Sequence, residues 1–160
     1  MSISISSAFD SGNIRVLSIT DTAAGVRAEL EIVTDHQSDF YQWFHFRLAN
    51  AAGREVELAI VNGAGSAYPD GWPGYAARMS EDRENWFLAD TRYADGTLTI
   101  RLTPDSNAVW IAHRGIVGPL RAGVLGRVIG QPARLGECHH ATRAQGFAPA
   151  GQRLCHAKEI

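Results

Sequence analysis

Residues 26–32, Val-Arg-Ala-Glu-Leu-Glu-Ile, alternate apolar and charged side chains without a break. Only a pleated strand places Val26, Ala28, Leu30 and Ile32 on one face and the charges on the other. Such a strand must lay one face on a core, and it needs paired neighbours to persist. The neighbours can be read from the same chain. Residues 14–19 follow the Ser11-Gly12-Asn13 turn, residues 42–48 alternate again, and residues 55–61 do so until Asn62-Gly63 stops them. Asp95-Gly96 supplies the positive-φ pair of a tight hairpin. Residues 98–102 leave that hairpin, and residues 108–112 read as a last buried strand. No stretch carries a convincing helical period. The expected fold is all-β, an antiparallel β-sandwich of about seven to nine strands.

The 160 residues, 45% of them apolar, suffice for one domain with a real core. A net charge of -2 gives no bulk attraction to nucleic acid or to an acidic membrane. No apolar run approaches the roughly 20 residues of a membrane span. The N-terminus lacks the basic and apolar regions of a secretory signal. The two cysteines, Cys138 and Cys155, argue against a disulfide scaffold and fit a reducing compartment. A cytoplasmic protein with no nucleic-acid or membrane partner is expected.

Charge is unevenly spread. Residues 1–113 hold 8 Arg against 15 Asp and Glu, whereas residues 114–160 hold 7 Arg and Lys against 2 Glu. Both cysteines and three of the six histidines lie in the second part, which has no clear period. The expected organisation is a β-sandwich over residues 1–113 and a weakly structured, irregular basic tail over 114–160.

Several constellations are candidates for chemistry. Trp43, His45 and Arg47 share one face of a strand whose other face carries Phe44, Phe46 and Leu48. The first set is either an aromatic-basic docking patch or a second buried face with Arg47 in an internal ion pair. Tyr68, Trp72 and Tyr75 punctuate a Gly- and Pro-rich loop at 63–75. They either line a site for carbohydrate or peptide or cover the sandwich edge where a partner packs. Trp43 and Trp110 are expected in the core, and Trp72 at an exposed loop tip. Asp35, His36, Ser38 and Asp39 combine triad residue types, but adjacent loop positions rarely adopt triad geometry. Cys138, His139, His140, Cys155 and His156 are candidate metal ligands, because thiolate and imidazole suit zinc. His156-Ala157-Lys158-Glu159 matches H-x-x-E without the distant second histidine that a catalytic zinc requires.

Phe9-Asp10-Ser11-Gly12-Asn13-Ile14 followed by Gln42-Trp43-Phe44-His45-Phe46-Arg47 resembles the F-x-S-G-N-I and Q-W-F-Y-F-R signature of cytosolic-type zinc metallocarboxypeptidases. His45 stands where that family usually has an aromatic such as tyrosine. Asn62, the 68–75 loop, Trp86 and residues 109–112 are similar to the family in the same order, so the resemblance covers about residues 8–113. It is confined to the β-sandwich that precedes the peptidase domain. In the family a Pro-Tyr-Ser turn then leads into that domain. Its zinc is held by an H-x-x-E pair and a distant histidine, a further Glu is the general base, and an Asn/Arg pair holds the substrate carboxylate. None of this follows Ala112 here. A shifted reading of codons able to encode Gly115, Ile116 and Val117 yields Tyr-Ser, so the tail is expected to be a frameshifted or truncated remnant.

The resemblance implies a non-catalytic accessory domain that binds no cofactor of its own, zinc belonging to the full-length family. Its expected partner is a peptidase domain, in cis or on a related chain, with self-association through the exposed docking face. Two alternatives stay open: a stand-alone module binding carbohydrate or peptide through the 63–75 loop, and a small metal-binding protein using the Cys/His tail.

Overall fold

The computed structural model describes residues 2–117. Ten strands occur among them: β1 (Ser4–Ser6), β2 (Arg15–Thr22), β3 (Gly25–Glu31), β4 (His45–Ala49), β5 (Val56–Ile60), β6 (Arg78–Ser80), β7 (Phe87–Leu88), β8 (Asp90–Ala94), β9 (Thr97–Leu102) and β10 (Ala108–Ala112). They form two five-stranded sheets, ordered β1-β4-β10-β6-β7 and β2-β3-β5-β9-β8. The first is antiparallel throughout. In the second, β3 and β5 run parallel while the other pairs are antiparallel. The parallel pair arises because the chain crosses to the opposite sheet as β4 between them and returns in the same direction. Short 3-10 turns at Gly63–Gly65 and Pro69–Gly71 are the helical elements of the described residues.

The inward faces meet in one core. Val26, Ala28 and Leu30 of β3 pack with Phe46 and Leu48 of β4, Leu58 and Ile60 of β5, and Val109 and Ile111 of β10. The alternation read from sequence therefore sets the burial: β3 is charged outward, where Glu57 joins Arg27 and Arg101. Asp95 and Gly96 both take positive φ, 49° and 79°, and close β8 onto β9 as a two-residue hairpin.

Three tryptophan placements correct the sequence reading. Trp110 and Trp43 are only partly buried and absent from the core, whereas Trp72 is 1% exposed and part of it. Trp110 lies between Val109 and Ile111, which both point inward, so the pleat turns Trp110 outward. There it meets the Arg47 guanidinium at 5.5 Å and that of Arg83 at 5.8 Å from its ring centre. Arg47 is exposed and stacks on this ring; no internal ion pair of it is seen among the described residues. Trp43 precedes β4, and its indole N–H donates to Asp35 Oδ1 at 2.9 Å. Asp35 thus braces a loop together with Ser38, whose hydroxyl accepts from the Phe40 N–H.

Candidate docking site at the exit end of the sandwich

The last strand, β10, ends where β4 begins, because Ala112 pairs with His45. The chain therefore leaves the sandwich at the end where β3 and β5 also finish. This exit end is built from side chains that replace missing strand partners. Asn13 is the first. Its amide nitrogen donates to Val33 and Trp43 carbonyls, both at 3.1 Å, and its oxygen accepts from the Val33 N–H at 3.2 Å. Asn62 does the same for Ile32, accepting from its N–H at 3.0 Å and donating to its carbonyl at 2.9 Å. One short side chain carrying both a donor and an acceptor mimics a strand edge here.

The turn before Asn13 is equally specific. A Cβ on Gly12 would lie 1.9 Å from the Ser7 carbonyl oxygen, so only glycine passes. Ser11 adopts φ 64° and sets its hydroxyl 3.1 Å from His45 Nδ1. His45 is buried against the rings of Phe9 and Trp86. Burial, aided by Arg83, pushes its imidazole pKa down. Among the described residues its Nε2 finds no hydrogen-bond partner. The F-x-S-G-N segment is thus a structural lock between the chain entry and β4.

The 63–75 loop folds inward. The Trp72 indole N–H reaches Gly63 O at 3.1 Å and Ser66 Oγ at 2.8 Å. Its ring packs against Phe44, Tyr75 and His113. Tyr75 is buried too and stacks on His113, with ring centres 5.3 Å apart and planes 12° apart. Its hydroxyl accepts from the Arg114 N–H at 3.1 Å, and the His113 N–H donates to Phe44 O at 2.8 Å. The outgoing chain is held by an aromatic plug, and Arg78 fastens it again through the Val117 carbonyl. Of the loop's three aromatics only Tyr68 faces outward, 72% exposed. Trp72 and Tyr75, read from sequence as possible contact residues, are internal supports of that surface. The metal candidates Cys138, His139, His140, Cys155 and His156 lie outside the described residues. Among the described residues no three His, Cys, Asp or Glu side chains gather closely enough to hold a metal ion. No helix of the described residues is long and apolar enough to cross a membrane.

Sequence had marked Tyr68, Trp72 and Tyr75 but not the roles of Asn13 and His113. The Asn residues sit directly at strand ends, which is the one local signal that could have exposed them.

Burial in the plug pushes the His113 pKa down to about 4, helped by Arg114 and Arg78, and pushes the Tyr75 hydroxyl up to about 12. Both groups are therefore neutral in the folded chain near pH 7. On acidification the unfolded imidazole takes up a proton near pH 6.5 that the folded one refuses until about 4, so stability falls across that window. The slope is at most about 1.4 kcal/mol per pH unit for one such group. Above pH 10 the unfolded phenol ionises first, and stability falls again. Melting temperature measured against pH is expected to hold level between these limbs. His113→Phe, which keeps the stack, should shrink the acid limb; an unchanged limb would contradict the assignment.

Two five-stranded sheets closed at one end by the Trp72, Tyr75 and His113 plug define a β-sandwich domain. Residues 5–113 match the cytosolic carboxypeptidase N-terminal domain family. An uncharacterized protein of Zymomonas mobilis subsp. mobilis is 49% identical over 113 residues, which are 71% of this chain and 29% of that protein. The metallo-carboxypeptidase from Burkholderia cenocepacia is similar in structure with TM-score 0.64 and 39% identity, over 70% of this chain and 29% of that one. The metallo-carboxypeptidase from Pseudomonas aeruginosa in complex with (2-guanidinoethylmercapto)succinic acid gives TM-score 0.62 and 37% identity, over 68% and 28%. The chain belongs to the cytosolic carboxypeptidase N-terminal domain family. It spans less than a third of the length of these relatives.

Proposed function

We propose that this chain is a non-catalytic accessory domain that packs beside a zinc carboxypeptidase domain and shapes the approach to it. The match to the N-terminal domain, over 29% of a metallo-carboxypeptidase, is the observation that carries the proposal. The exit end supports it. An accessory domain must fix the direction in which its chain departs, and the Trp72, Tyr75 and His113 plug does so. A cytoplasmic location accords with the family description. Zinc would belong to the peptidase domain.

The two alternatives draw less support. A carbohydrate or peptide site on the 63–75 loop would need its aromatics at the surface, and Trp72 and Tyr75 are buried. A metal-binding role would rest on residues beyond the described part.

The chain on its own, supplied with zinc, is expected to release no C-terminal residue from a panel of peptides. Zinc-dependent release that His156→Ala abolishes would overturn the non-catalytic assignment.

A further inference from the structure

Residues 1–113 hold 15 Asp and Glu for 8 Arg, so carboxylate partners are plentiful. Arg15, Arg27, Arg54 and Arg101 each take one. Arg47 and Arg83 do not. Both are exposed, and among the described residues neither guanidinium has an ion pair or a hydrogen bond. They converge instead on one indole, on the outer face of the first sheet. Arg47 stands 5.5 Å and Arg83 5.8 Å from the Trp110 ring centre, so the two cannot be farther apart than the sum of those distances. Arg83 also lies 6.0 Å from the Phe9 ring centre. Stacking uses the face of a guanidinium and leaves the N–H groups along its edge unspent.

A locked turn puts Arg83 there. Its φ is 67°, a left-handed conformation disfavoured for any residue but glycine. Its N–H donates to the Oγ of the buried Ser80 at 2.8 Å, and its carbonyl accepts from the Trp86 indole N–H at 3.1 Å. The acids beside it are engaged elsewhere. Asp82 accepts from the Ser80 hydroxyl and from the Glu84 and Asn85 N–H groups. Glu81 accepts from the Asp105 and Ser106 N–H groups and from the Ser106 hydroxyl. Among the described residues no ion pair joins Glu84 to either arginine. Two cations thus share one ring with no counter-charge of their own.

We infer that Arg47 and Arg83, stacked on Trp110, form a binding site for a phosphate dianion. A carboxylate would neutralise only one of the two charges. A phosphate group carries close to two negative charges near pH 7, and its three acceptor oxygens can take N–H donors from both guanidiniums. The site is independent of the accessory role proposed above, so either can fail alone.

The test titrates the 15N-labelled 160-residue chain with inorganic phosphate at constant ionic strength, chloride making up the balance. The Trp110 indole N–H, assigned by its loss in Trp110→Phe, is followed by NMR. It is expected to shift to saturation while the buried Trp72 indole N–H stays still. Arg47→Gln and Arg83→Asn should each weaken binding about tenfold or more, with the melting temperature unchanged. Asparagine tolerates positive φ, so the turn survives the second change. Two further arms use a short peptide bearing one phosphoserine and its glutamate counterpart. Tighter binding of the phosphopeptide than of inorganic phosphate would make a phosphorylated side chain the source, and the reverse order would make it the free ion. A glutamate peptide that binds as tightly as either would overturn the phosphate assignment. A shift that chloride alone reproduces, or that survives both substitutions, would overturn the site.

Discussion

Trp72→Ala is expected to unfold the domain or leave it barely folded. The indole fills the space between Phe44, Tyr75 and His113 and is almost wholly buried. Deleting a buried tryptophan side chain removes about 3–5 kcal/mol. The change also strips the Ser66 hydroxyl and the Gly63 carbonyl of a buried donor. Against a domain stability of about 5–15 kcal/mol, that leaves little margin. Trp110→Ala is the matched comparison. It loses two cation–π stacks on the outer face of the sheet, a loss of about 1 kcal/mol. Urea titrations of the two variants and the parent decide the point. A Trp72→Ala variant as stable as Trp110→Ala would mean that the plug contributes nothing.

The second large effect is expected at Asn13. Alanine there leaves the Val33 N–H, the Val33 carbonyl and the Trp43 carbonyl without their partner at a buried position. Each unsatisfied group is unfavourable, and the sum should fall at about 2–4 kcal/mol. Asn13→Asp gives no rescue. Its carboxylate can still accept from Val33 N–H, but its second oxygen faces two carbonyl oxygens where the amide donated. Denaturant midpoints of parent, Asn13→Ala and Asn13→Asp test this. An alanine variant within about 0.5 kcal/mol of the parent, the range of ordinary surface changes, would remove Asn13 from the account.

These residues also mark where the sequence was legible. β3, β4, β5, β9 and β10 could be read because each buries one face, and burial of one face writes a period of two into the chain. β2 was read short: all eight of its residues are exposed, so no alternation records its full length. β1, β6 and β7 are two or three residues long and leave no periodic trace. The strand count therefore came out low, and the parallel β3/β5 pair depends on a crossover that local pattern cannot encode. The tryptophans were misread for two reasons. Trp110 was taken as core because its neighbours are apolar, although the parity of Val109 and Ile111 already turns it outward. Trp72 was taken as a loop tip because Gly and Pro surround it, yet its indole partner Ser66 lies within the same loop. A loop that is hydrogen-bonded to itself can turn inward without orphaning its backbone.

The exit end was legible in its parts and not in its assembly. The family resemblance marked Asn13, Asn62, Tyr68 and Tyr75 in order, but the stack of Tyr75 on His113 joins residues from two loops far apart in the chain. The exposed Phe40 is held by its own loop, its carbonyl accepting from the Asp35 N–H at 2.8 Å and its N–H donating to Ser38 Oγ at 3.0 Å, which no local period records.

Calorimetry of three samples tests most directly whether this domain works by packing on a peptidase: the chain alone, the part of the Burkholderia cenocepacia metallo-carboxypeptidase outside its matched region alone, and the two joined at residue 117. Coupled domains unfold together, so the joined protein is expected to give one transition above those of its parts. Two transitions at the temperatures of the separate parts would contradict the account.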